Sequence, residues 1–384
     1  MKWKKIVTAA AASLLTAVIV MGGCSKQEDD TSSPESSAAS SSAVQSSQAS
    51  GKTESSVAAE NSSEQSSRQS EPSAQNTITP AVWEVKNEEG NVLYMMGTIH
   101  MGDASIMQMP DYFEGAFAAC DALALECDTS QADISLNSVT QFMYTDRSTI
   151  RDHVSQEDYQ KVQTMLQSAG QYSPVYDYIK PFMWMSLLEV AAGSESGLSA
   201  DYAVDTMLQK RAYNEGKSVL EIEGNEFQIS LITNMDDKLQ EVLFHEAAQT
   251  ENYYDELKES IKQNYEQWKK GEEPLTASDE EVSLTEEEQK LFDEYNRIML
   301  TDRNKTMADK AEQYIKSGQT TFFAVGAAHF YGDEGLINLM TNRGYTLRRL
   351  TSENAPASGS TVVQSSKSPD TAPEITDPAV PRAA

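Results

Sequence analysis

Two of the chain's four histidines stand in the same short setting. His100 closes Gly97-Thr98-Ile99-His100 and is followed by Met101-Gly102-Asp103; His329 closes Gly326-Ala327-Ala328-His329 and is followed by Phe330-Tyr331-Gly332-Asp333. An apolar run leads into each motif, Val92 to Met96 in one case and Thr321 to Val325 in the other. A short apolar run bounded by Gly predicts a strand covered on both faces, and Gly at its end lets the backbone turn or approach another group closely. Ligands of open α/β sheets bind at the carboxyl ends of the strands. The two imidazoles are therefore candidates for a single site, with Glu126 and Glu221 as acidic partners, each at the end of its own apolar run.

Two histidines and a carboxylate are a donor set for a first-row divalent ion (manganese, cobalt or zinc) with an open position for water. Such an ion lowers the pKa of its water toward neutrality. On this reading His100, Glu126 and His329 are the metal ligands, and Glu221 is a fourth ligand or the general base. The same residues also support a metal-free scheme, in which one His takes a proton from water, Glu126 orients it and Arg303 steadies the oxyanion. The residue pattern does not choose between the two. Asp103 and Asp333 are expected either to hold the outer ring nitrogens of the histidines or to cap the helical turns that follow. Other motifs are incomplete. His245-Glu246-Ala247-Ala248-Gln249 has Gln where a zinc-protease motif needs its second His, and His153 lies in a polar stretch. There is no Gly-x-Ser-x-Gly elbow, phosphate loop or dinucleotide fingerprint.

Positioning these residues requires a sheet. Trp83 to Val85 and Val92 to Met96 predict a hairpin around Asn87–Asn91. A short helix over Tyr112–Ala119 and an apolar strand over Ala122–Asp128 that ends in a carboxylate complete a βαβ unit, whose parallel strands bring His100 and Glu126 to one edge. Residues 130–215 and 226–270 read as mainly helical, separated by a short strand at Ser218–Gly224 with carboxylates at its end. A helix from Glu286 to Ser317 carries Arg303 and Asn304. The second His strand, a helix from Glu334 to Thr341 and a last strand from Tyr345 to Leu350 follow. The expected fold is a mixed, largely parallel α/β sheet with a helical insertion and two related strand–Gly-x-x-His–helix–strand units.

At 384 residues with a formal charge of -29, the chain is too acidic to seek nucleic acid or an anionic membrane surface. Of three cysteines, Cys120 and Cys127 read as buried small hydrophobes. Cys24 belongs to a different pattern. Lys2, Lys4 and Lys5 precede an apolar stretch from Ile6 to Met21, too short for a confident span, and Val20-Met21-Gly22-Gly23-Cys24 resembles a lipoprotein cleavage site with Cys24 acylated. Residues 1–24 are thus expected to be a signal peptide. Residues 25–80, rich in Ser, Ala, Gln and Glu, are expected to be a flexible tether with a reach of roughly 40 Å. The folded part is 81–350, the acidic loop 271–288 is a solvated face, and 351–384 is a disordered tail.

Four segments in order, LYMMGTIHMGD, DALALECD, GKSVLEIEGNEFQ and the stretch from Arg303 to Tyr345, resemble the TraB/GumN family, which includes PrgY-like proteins and is related to the Tiki metalloproteases. The resemblance implies an α/β fold with two Gly-x-x-His motifs and an acidic residue in one site. It assigns that role to His100, Glu126 and His329 and places Arg303 at the family's Arg-Asn position. Glu221 falls in a family Leu-Glu-Thr segment, where Ile222 replaces the Thr. The leading expectation is a metal-dependent hydrolase acting on peptide or small-molecule substrates, lipid-anchored on the extracytoplasmic face of a bacterial cell membrane. The alternative is a lipoprotein that binds or sequesters a pheromone-like peptide without cleaving it.

Overall fold

The computed structural model describes residues 78–131, 140–274 and 285–356. The signal segment, Cys24, most of the tether and most of the acidic loop lie outside these residues. The ordered body is slightly longer than 81–350. Ile78 is buried in a core cluster, the Tyr112 hydroxyl donates to the Pro80 carbonyl at 2.7 Å, and Asn354 Oδ1 caps Thr351. Among the described residues no helix is long and apolar enough to cross a membrane.

Six strands form one sheet: β1 (Val82–Lys86), β2 (Val92–Thr98), β3 (Ala122–Leu125), β4 (Ser218–Glu221), β5 (Thr321–Gly326) and β6 (Thr346–Arg349), in the order β4-β3-β5-β2-β1-β6. β4, β3, β5 and β2 are mutually parallel, and β1 pairs antiparallel with both β2 and β6. The sheet is therefore the mixed, largely parallel one expected. The hairpin turn closes with Asn87 Oδ1 accepting the Asn91 amide at 2.8 Å.

The order of strands adds something the sequence did not state. β5 lies between β2 and β3, so the βαβ crossover through α1 (Asp111–Ala118) skips a place. The strand that fills this place carries the second His motif. β2 and β5 pair with Gly97 opposite Val325 and Thr98 opposite Gly326, which sets the two Gly-x-x-His turns side by side. The Gly97 position has no room for a side chain, because a Cβ there would lie 2.8 Å from Ala327 Cα of the other motif.

Alternation along β5 sends Phe322 to one face and Phe323 to the other. Phe322 joins a core with α1, α4 (Val204–Asn214) and the end of α7 (Tyr253–Lys270). Phe323 joins a second core with α9 (Asp302–Lys316) and α10 (Leu336–Asn342). A third core is mainly helical and is built around Trp184, chiefly from α2 (Gln156–Ser168), α3 (Pro181–Glu195), α6 (Asp237–Gln249) and α7; it is the expected insertion. α5 (Asn225–Thr233) follows β4. α3 begins at Pro181, a residue whose fixed φ suits the first helical turn, and is apolar nearly all round because it is buried nearly all round. α8 (Glu286–Asn296) runs into α9 through a π-helical turn, Arg297–Thr301, directly before Arg303.

Candidate functional site

The site lies at the carboxyl ends of β2, β5 and β3, where His100, His329 and Glu126 follow their strands. His329 is fully buried, and its Nδ1 lies 2.6 Å from Asn304 Oδ1. Asn304 Nδ2 donates to the Glu334 carbonyl at 2.8 Å, so its oxygen must face the imidazole. Nδ1 of His329 therefore carries the hydrogen, and Nε2 presents a lone pair. That Nε2 is buried, has no hydrogen-bond partner and lies 3.9 Å from Glu126 Oε1. Burial, followed by the charge of Arg303, pulls the imidazole down to about 3, so it is neutral at ordinary pH.

His100 is held differently. Its Nδ1 lies 2.9 Å from Asp205 Oδ2 on α4, and its Nε2 is likewise buried and without a partner. Burial disfavours its charge, but Asp205, with Glu126 and Glu189 behind it, outweighs burial and raises the group to about 9. Two imidazoles in matching sequence settings thus have opposite proton affinities. The cause is their surroundings: Asp205 outweighs burial at His100, whereas at His329 burial and the charge of Arg303 act in the same direction.

Both oxygens of Glu126 are engaged. Its Oε1 accepts the Gly326 amide at 2.6 Å, and its Oε2 accepts from Arg303 Nη2 at 2.6 Å and Gln228 Nε2 at 2.7 Å. A Cβ at Gly326 would stand 3.3 Å from Glu126 Oε1 and 3.5 Å from His329 Cδ2, so Gly here lets the carboxylate reach the backbone. Burial works against the charge, but Arg303 and the two histidines hold the carboxyl down to about 2. Arg303, buried on α9, also donates from Nε and Nη2 to Glu223 at 2.9 Å and from Nη1 to the Met299 carbonyl at 3.1 Å. The guanidinium is thus committed to two carboxylates and a carbonyl. It neutralises the site rather than standing open to receive an oxyanion.

Four of the five predicted site residues come together. Glu221 stands apart: it is exposed, and its Oε1 accepts the Asp128 amide at 2.8 Å. Glu223, two residues on, is the acid that reaches Arg303. Asp103 caps its own turn by accepting the Ser105 amide at 2.8 Å, and Asp333 is exposed. The ring partners are instead Asp205 and Asn304. Asn304 adjoins Arg303 in sequence and Asp205 lies in the stretch 130–215 read as mainly helical, but neither spacing signals a contact with a distant imidazole. Cys120 and Cys127 are buried free thiols, as expected, and burial pushes both well up.

The donors fit a divalent ion in part. Two buried Nε2 atoms without partners, each with its Nδ1 anchored, have the form of imidazole ligands. Glu126 does not complete the set, since both its oxygens are engaged and a guanidinium adjoins it. Among the described residues no group of three or more His, Cys, Asp or Glu side chains is disposed to hold an ion. A small pocket opens beside the cluster, lined by Thr98, His100, Glu126, Thr129, Asp205 and Gln209 among others.

The fold and the paired motifs define a class, and comparison with known sequences supplies its name. The profile of the TraB/PrgY/gumN family matches residues 81–349, and the chain belongs to that family. The uncharacterized protein YbaP of Escherichia coli K12 is 25% identical over 251 residues, covering 64% of this chain and 87% of YbaP, and YbaP of Shigella flexneri matches to the same extent. No solved structure matches the chain.

Proposed function

We propose that the protein is a hydrolase acting on peptides, held by acylated Cys24 on the extracytoplasmic face of a bacterial membrane. One observation carries the reading: two buried Nε2 atoms without partners, on the ends of adjacent parallel strands, with opposite proton affinities. Titratable groups whose environments push them apart in this way divide acid and base roles between them. His329 Nε2 is the proton acceptor for an attacking water, and Glu126 Oε1, 3.9 Å away, faces the charge that His329 then gains. His100 lines the pocket and, carrying its proton, donates to the oxygen on which negative charge develops or to the leaving amine. Arg303 keeps Glu126 ionised and in place. A divalent ion held by the two Nε2 atoms would instead take the place of these proton roles and supply a polarised water.

The test is incubation of the purified full chain with a large molar excess of a mixed peptide library, followed by mass spectrometry. His100→Ala and His329→Ala proteins, confirmed folded by circular dichroism, are run in parallel. Cleavage products from the wild type that disappear in both variants support the reading. Stoichiometric peptide retention with no product would replace it with a sequestering role. Cleavage that survives in both variants would overturn the site. Loss of cleavage on chelation, restored by manganese, cobalt or zinc, would assign the ion.

A further inference from the structure

Glu189 belongs to none of the motifs. It lies in the middle of α3, is 4% exposed, and its Oε2 is buried with no hydrogen-bond partner. A buried carboxyl oxygen left unpaired is costly even when protonated, and a ligand that binds there would account for it.

Its position joins it to the site. Gly193 lies one helical turn further along α3, so the two residues share a face. That face packs on the first His motif: a Cβ at Gly193 would come within 2.5 Å of Met101 Sδ. Just beyond α3 the backbone is tied to the same motif, with Gly102 and Ser199 exchanging amide–carbonyl bonds at 3.0 and 2.8 Å. Glu189 thus faces the seam between the helical layer and the His100 turn. Its charge is felt by His100 and by the buried Tyr253 and Tyr295 hydroxyls.

The charge balance indicates what fills the seam. Glu126 and Glu223 share Arg303, and Asp205 pairs with His100. Arg303 and His100 thus have their carboxylates, whereas Glu189, which burial holds protonated up to about pH 8, has no cationic partner among the described residues.

We propose that Glu189 is a specificity residue that receives an ammonium group of the substrate beside His100. This rests on the hydrolase reading only for the location of the site, since the contact is one of binding and is read without turnover. The probes are a tetrapeptide amide with a free amino terminus, the same peptide acetylated, and an acetylated peptide carrying one lysine. Each is titrated by calorimetry against the full chain and against Glu189→Gln and Glu189→Asp, with thermal unfolding checked for each variant.

The expected result is that one of the two ammonium-bearing peptides binds the wild type more tightly than the acetylated one. Glu189→Gln removes that preference, by about ten- to hundredfold, and Glu189→Asp keeps part of it. Preference for the free terminus identifies an amino-terminal reader, and preference for the lysine peptide identifies a basic side-chain pocket. Equal affinities for all three peptides, or a preference that survives in a folded Glu189→Gln protein, would overturn the proposal. So would binding of manganese alone that Glu189→Gln abolishes, with peptide affinities unchanged. A hydrolase that cleaves peptides without ammonium preference would leave the hydrolase reading standing and this one refuted.

Discussion

Arg303 Nη2 donates to Glu126 Oε2 at 2.6 Å, joining side chains 177 residues apart in sequence, both buried. The pair fixes the centre of the site. Glu126 is brought in by β3 and Arg303 by α9, and the π-helical turn at Arg297–Thr301 immediately precedes the arginine. Such turns alter which residues of a helix face inward, and they recur at functional sites.

Replacing Arg303 with Met should therefore cost about 3–5 kcal/mol, because Glu126 and Glu223 would both remain buried without their cation. Lys at this position would recover only part of the loss, since it lacks the planar fork that serves two carboxylates at once. Urea unfolding of the three proteins measures the difference. Midpoints equal to wild type in both variants would show that the pair contributes nothing to the fold.

The separation of the two imidazoles is open to direct measurement. In the wild type, NMR titration should show His100 gaining its proton near pH 9, whereas His329 stays neutral until about pH 3. Asp205→Asn keeps the shape of the contact at Nδ1 and removes its charge. Burial would then dominate, and the His100 midpoint should fall toward or below its ordinary 6.5. A midpoint that stays near 9 in the variant would mean that Asp205 is not what raises it.

The sheet was legible because its signals are local. Apolar runs ending in Gly mark β2 and β5, an apolar run ending in a carboxylate marks β3, and parallel strands necessarily bring His100 and Glu126 to one edge. The insertion of β5 between β2 and β3 was not legible, since strand order depends on packing between distant segments. The second contacts of the histidines were hidden for the same reason. Asp103 and Asp333 follow their histidines closely in sequence, yet short range favours capping of the local turn, and Asp103 does this. Asp205 and Asn304 arrive from helices whose faces the sequence alone does not aim.

Glu221 and Glu223 give the clearest case of a near miss. One ends β4 exposed and accepts the Asp128 amide; the other reaches the buried guanidinium. Glu223→Gln should lower cleavage and destabilise the fold, since Arg303 would lose one of its two carboxylates. Glu221→Gln should leave cleavage close to wild type and cost at most about 1 kcal/mol, the scale of one ordinary hydrogen bond. Parallel activity and urea measurements compare them. The reverse order of effects would restore Glu221 to the site.

Glu189 gives the fold a dependence on pH of unusual sign for an acid. Burial raises its carboxyl from 4.5 to about 8, against the pull of His100. Below about pH 4.5 the group is protonated both folded and unfolded and carries no penalty. Between 4.5 and 8 the unfolded chain gives up this proton while the folded chain keeps it, so stability falls as pH rises. At 1.36 kcal/mol per pH unit the loss would approach about 4–5 kcal/mol above pH 8. Glu189→Gln cannot ionise. It should therefore flatten the decline by one proton across that window and be the more stable protein at its upper end. Urea midpoints taken at about pH 5, 6, 7 and 8 on both proteins test this: parallel curves would show that Glu189 does not titrate in this range. A variant that gains stability at high pH yet loses its preference for ammonium-bearing peptides would separate the two consequences of this one carboxylate. The fold is better off without the charge, and binding depends on it.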